Sequence, residues 1–189
     1  MGLAPIAIGM VGLQFALFVN AMPLLGVDAD VRQAGSPART VGAVGSLLGA
    51  VALLFMSFWF IVGAPLGKEG IVPQVQLTFS LISGMYGLLW LGVGITQMLG
   101  WDARPLGNAA LIAALMQVIA IVVIARWGLN TNLVLIEVVL AIYTAVLLGF
   151  WGATHGRFAA KSEGGLLLLA VLGTFYLEFW ASGIWPVPV

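Results

Sequence analysis

With 189 residues, of which 62% are hydrophobic and 7% charged, the chain falls far short of the charge of a soluble domain, where about a quarter of residues are charged. That balance excludes a water-soluble globular fold and leaves an integral membrane protein. The net charge of zero gives no electrostatic footprint for a nucleic-acid partner. The absence of Cys excludes disulfides, thiolate metal sites and Cys nucleophiles, and a single His, His155, excludes a site built on two imidazoles.

Six apolar segments follow in order, approximately 3–25, 40–64, 75–99, 106–126, 132–153 and 164–185. Each is long enough to cross a bilayer at about 1.5 Å per residue. A spanning segment must satisfy its own backbone hydrogen bonds, so all six are predicted helices despite many Val and Ile residues. The strict polar–apolar alternation of barrel strands is absent. The first segment has no basic residue ahead of it and no clear cleavage site, and reads as a retained helix rather than a signal peptide. The fold class expected is therefore all-α: one membrane domain over 1–189, with six transmembrane helices arranged as three hairpins around a pore within the protomer.

The connections differ in character. The first (GVDADVRQAGSPAR, from Gly26) and fifth (HGRFAAKSEGG, from His155) are polar, the second (GKEGIVPQ) is rich in Gly and Pro, and the fourth, Trp127 to Thr131, is very short. The third, Gly100-Trp-Asp-Ala-Arg-Pro105, places a Trp, two opposite charges and a Pro between two hydrophobic walls, as a tight turn at a membrane surface does. Pro105 is expected to open the fourth helix. The odd-numbered connections hold Arg32, Arg39, Arg104, Arg157 and Lys161, against Lys68 and Arg126 in the even ones. The positive-inside rule then puts the odd connections in the cytoplasm and both termini outside, on the periplasmic face of a cell (inner) membrane.

Polar groups at membrane depth are the candidate functional residues. Glu137 and Glu178 are the two ionisable groups within the predicted spans; each reads either as a pH-sensing pore group or as a carboxylate reaching the interface. Asn20, Thr96 and Gln117 offer hydrogen-bonding groups to a polar solute, or bond helix to helix. Trp59, Trp101, Trp127 and Trp185 lie near helix ends and read as an interfacial belt. Trp90, Tyr143, Tyr176 and Trp180 lie deeper, where rings and aliphatic chains form either a constriction for flat neutral solutes or ordinary packing. Glycines such as Gly42, Gly45, Gly49, Gly84 and Gly87 suit close helix approach. No P-loop, G-x-S-x-G or H-E-x-x-H motif is present, so neither an enzyme nor an ATP-driven pump is expected, and no cofactor or metal is called for.

The stretch Gly87-Leu-Leu-Trp-Leu-Gly-Val-Gly-Ile-Thr96, followed by the Gly100–Pro105 turn and an Ala/Leu helix, resembles the AmiS/UreI family of urea and short-chain amide channels. Asn20 with Leu24-Leu25-Gly26 is similar to the end of that family's first helix. Thr96 stands where the family has Asn, and the positions of its selectivity residues fall here on Thr144, Leu148 and Leu172. The resemblance implies a passive channel for small planar neutral solutes, with outside termini and protomers assembled as a ring of six, a homo-oligomer, in the lipid bilayer. A second resemblance, of Gly2-Leu-Ala-Pro-Ile-Ala7 and Tyr86-Gly-Leu-Leu-Trp-Leu91 to the acetate/succinate family of six-helix channels, implies acetate or another short carboxylate as the alternative solute. The remaining alternative is a non-conducting subunit of a membrane complex.

Overall fold

The computed structural model describes residues 4–27, 37–70, 72–126 and 134–182. Arg32, most of the first connection, the fourth connection with Trp127, and Trp185 lie outside the described residues, as does the side chain of Trp180. Within the described residues the chain is helical, with helices α1 (Ala4–Leu24), α2 (Pro37–Val62), α3 (Val72–Leu99), α4 (Arg104–Arg126), α5 (Val134–Thr154) and α6 (Ala160–Ala181). All six are long and apolar enough to cross a membrane. The protein is a six-helix, multi-pass membrane bundle.

The predicted spans and the observed helices agree to within a few residues, with one informative difference. The sixth helix begins at Ala160 rather than 164, because Ala-Lys-Ser-Glu is a competent first helical turn and not a loop. Glu163 is thereby carried onto a helix.

Proline sits in the first turn of several helices, as Pro5, Pro37, Pro73 and Pro105, where its missing N–H removes no helical bond. Three helices end on the same device at the same end of the bundle. Gly26, Gly100 and Gly156 adopt φ of +91°, +68° and +67°. The next amide then bonds back to a carbonyl in the last turn: Val27 to Met22 at 3.0 Å, Trp101 to Thr96 at 3.1 Å, and Arg157 to Gly152 at 2.7 Å. In the third connection, Asp102 Oδ1 accepts the Arg104 amide at 2.9 Å and its carboxylate pairs with the Arg104 side chain, which starts α4 two residues after Asp102.

The helices stand side by side in chain order around a ring, with α6 returning to pack on α1. The contact between α1 and α2 is made by small residues. A Cβ at Gly49 would lie 2.7 Å from Ala16 Cβ and 2.8 Å from the Gly12 carbonyl, so the two backbones touch. The α2–α3 contact works the same way, with Gly42 against the Gly94 carbonyl. Ser57 and Ser80 clasp those helices reciprocally, each hydroxyl donating to the other's backbone carbonyl, at 2.8 and 2.9 Å. The pairing of α3 with α4 is the least extensive around the ring, although these two share the shortest described turn. Of the three predicted hairpins, this middle one is thus the loosest. Outward faces are apolar, with Phe15, Phe58, Leu88, Ile112 and Leu172 all exposed, as a lipid-facing surface requires.

Within α2 the segment Val41–Leu47 is π-helical. The wider turn shifts the face that each later residue presents. It delivers Ser46, fully buried, to the interior.

Candidate functional site

The ring of helices encloses two cavities on either side of a neck. The larger, about 310 Å³, occupies the end of the bundle that carries the Gly26, Gly100 and Gly156 turns; its lining includes Asn20, Trp90, Gln97, Phe150, Thr154 and Glu163. The smaller, about 60 Å³ and nearly all apolar, lies toward the opposite end among residues such as Met10, Met56, Phe60, Phe79 and Leu177. Leu13, Tyr86 and Tyr143 line both. Each of the three stands near the middle of its helix, so the neck is at mid-membrane.

Two rings make the neck. Tyr86 and Tyr143 meet edge to face with centroids 5.7 Å apart, a favoured geometry for aromatic pairs. The Tyr143 hydroxyl donates to Thr174 Oγ1 at 2.6 Å, and Thr174 in turn donates to the Ala170 carbonyl at 2.7 Å. Tyr143 is thereby tied to α6. The Tyr86 hydroxyl is buried and has no hydrogen-bond partner.

A closed polar triad lies at the wall of the larger cavity. Asn20 Nδ2 donates to Ser46 Oγ at 3.0 Å, Ser46 Oγ donates to Gln97 Oε1 at 3.1 Å, and Gln97 Nε2 donates to Asn20 Oδ1 at 2.6 Å. Asn20 also donates to the Ala16 carbonyl at 2.8 Å. Three helices are joined by side chains alone, and Asn20 and Gln97 both face the cavity.

Glu163 is the carboxyl group in the lining of this cavity. Its side chain is 2% exposed and neither carboxyl oxygen has a partner. Gly149 on α5 makes the room for it, since a Cβ there would overlap Oε2.

Of the residues singled out from the sequence, Asn20, Trp90 and Tyr143 face the larger cavity together. The others lie elsewhere. Thr96 is half-buried beside the lining, and the neighbouring Gln97 takes the inward position, in line with Trp90 and Val93. Gln117 is fully buried with both side-chain polar atoms unpartnered, on the Ala110–Ala113–Ala120 stripe of α4, and lines neither cavity. Tyr176 is half-buried with an unpartnered hydroxyl, and Glu178 and Glu137 are half-buried; none of the three lines either cavity. Sequence reasoning missed Ser46, Glu163 and the inward position of Gln97. For Glu163 a signal existed: it shares the i, i+4, i+7, i+11 stripe with Leu167, Ala170 and Thr174.

Fold and site together define a six-helix membrane bundle with an internal, mainly apolar cavity closed at mid-depth by two tyrosines and a leucine. Compared with protein families, curated proteins and solved structures, the chain matches none.

Proposed function

We propose that the protein is a passive channel for small planar neutral solutes, urea or short-chain amides, with one pathway through each protomer. The observation that carries this reading is the pair of cavities sharing a neck of Leu13, Tyr86 and Tyr143. A flat solute can slide between ring faces and an aliphatic side chain, whereas a hydrated ion would have to shed its shell against an apolar wall. The lining fits such a solute: rings and aliphatic groups supply the walls, and Asn20, Gln97 and Thr154 supply a few hydrogen-bonding groups. No motif for ATP hydrolysis or covalent chemistry accompanies it, in keeping with movement down a gradient.

The AmiS/UreI resemblance of Gly87–Thr96 and the following turn supports the same solute class, and with it a ring of protomers in the inner membrane. The positive-inside rule turns the larger cavity to the cytoplasm, because Arg104, Arg157 and Lys161 flank its end.

Swelling of proteoliposomes tests the reading. Urea and acetamide are expected to enter vesicles holding the protein faster than vesicles of lipid alone, and faster than acetate does. Faster entry of acetate would assign the pathway to short carboxylates. Entry of every solute at the lipid-only rate, with partner subunits co-purifying, would make the chain a non-conducting subunit.

A further inference from the structure

Glu163 is an anomaly in energy terms. A carboxyl group removed from water without hydrogen bonds is costly relative to a paired one, and more so when ionised. Groups of this kind within a membrane span are retained for function by default. The neighbouring basic side chains are turned elsewhere. The Arg157 guanidinium lies over the Trp151 ring at 5.2 Å, His155 Nδ1 lies 2.8 Å from the Trp151 carbonyl oxygen, and Lys161 is exposed. Among the described residues none of them bonds Glu163. The seat is nonetheless built: Gly149 leaves a recess for Oε2, and the neighbouring Gly164 lets α6 close on Leu24 and Leu25.

We propose that Glu163 is a binding site for the N–H edge of a solute in the larger cavity. As a carboxylate the group is acceptor-only, and with Oε2 seated against Gly149 it lacks a donor partner that an N–H group on an amide, urea, amidine or guanidinium edge would supply. The remaining surface of such a flat molecule would meet Phe150 and Leu167, which line the same cavity. This deepens the channel reading and rests on it for the cavity being a solute path, but the site is testable by binding alone. The chemistry selected is N–H donation, from a neutral amide or an organic cation.

The test uses the full chain in lipid nanodiscs. Urea, acetamide, guanidinium and methylammonium are titrated in turn, with N,N-dimethylacetamide as the probe that keeps the carbonyl and lacks N–H. The readout is the infrared carboxyl band that Glu163→Gln removes. At least one N–H probe is expected to shift that band saturably while N,N-dimethylacetamide does not, and calorimetric titration, which also reads the variant without the band, should show Glu163→Gln binding the same probe at least tenfold more weakly. Gly149→Ala keeps the acid but fills its recess, and should give a similar loss. Whether the neutral or the cationic probes act assigns the charge class. A band unmoved by all four, or moved equally by N,N-dimethylacetamide, overturns the proposal. Binding without solute flux would leave the Glu163 site standing and end the channel reading; flux without a Glu163-dependent band shift would do the reverse.

Discussion

Tyr86 and Tyr143 face each other across the middle of the bundle, 5.7 Å between ring centroids, yet they are held in different ways. Tyr143 is anchored through Thr174, whereas the buried Tyr86 hydroxyl bonds to nothing. One ring is a fixed post, and the other carries a buried polar group without a partner. Tyr143→Phe should therefore lower stability by about 0.5–1.5 kcal/mol, the net value of a hydrogen bond. Tyr86→Phe should leave stability unchanged or slightly raised, and should alter solute selectivity instead. Unfolding in mixed micelles, run beside flux assays on both variants, checks this; equal destabilisation would show that the two hydroxyls are alike.

The triad of Asn20, Ser46 and Gln97 should behave as a coupled unit. Gln97→Leu would leave Asn20 Oδ1 without its 2.6 Å donor in a buried setting, at a cost of about 1–3 kcal/mol. A double-mutant cycle of Asn20→Ala with Gln97→Ala should give a coupling of about 0.5–3 kcal/mol. A coupling near zero would mean that the bonds contribute nothing beyond the packing of the two side chains.

Gly49 is where α1 and α2 touch. Gly49→Ala would press a methyl group on Ala16 and on the Gly12 carbonyl, and the second contact is backbone, which cannot swing aside. Overpacking of this kind costs about 1–3 kcal/mol. Gly165→Ala is the control, since a Cβ there meets nothing within 4 Å. Thermal unfolding of the two variants should separate them clearly, and equal melting temperatures would contradict the close approach.

Asp102 makes the start of α4 pH-sensitive. Its hydrogen bonds from the Arg104 side chain and backbone hold the carboxyl down at about 2, below its ordinary 3.8. A depressed carboxyl contributes stability above its unfolded value and loses it as pH falls through the folded one. The turn should thus be intact above about pH 4 and should loosen toward pH 2. A carbon-detected titration of Asp102 follows this directly, and a midpoint at the ordinary value would rule out the cap.

The six helices were legible because hydrocarbon imposes helix on any long apolar run, and the turns were legible through their Gly and Pro. The inward positions of Asn20, Trp90 and Tyr143 were also within reach, since polar and aromatic groups at depth favour the interior. Ser46 was hidden by the π-turn of Val41–Leu47, which breaks the 3.6-residue count that sequence patterns rely on. Glu163 was hidden by its neighbours: Lys161 and Ser162 are exposed, and a stretch containing them reads as loop until its helical phase is traced forward to Leu167. Gln117 shows the converse, a polar group at depth that is buried against helices rather than turned into the cavity.

The neck is where the whole reading is most exposed. Leu13 is 2% exposed and lines both cavities, so Leu13→Trp puts a bulky ring between Tyr86 and Tyr143. Leu88→Trp places the same ring on the outward face of α3, at a residue 63% exposed. Stopped-flow urea and acetamide entry into proteoliposomes compares the two, with helicity and monodispersity confirming that each variant is folded. The expected result is flux near the lipid-only rate for Leu13→Trp and undiminished flux for Leu88→Trp. Full flux through Leu13→Trp would place the solute path elsewhere and contradict a channel through the protomer.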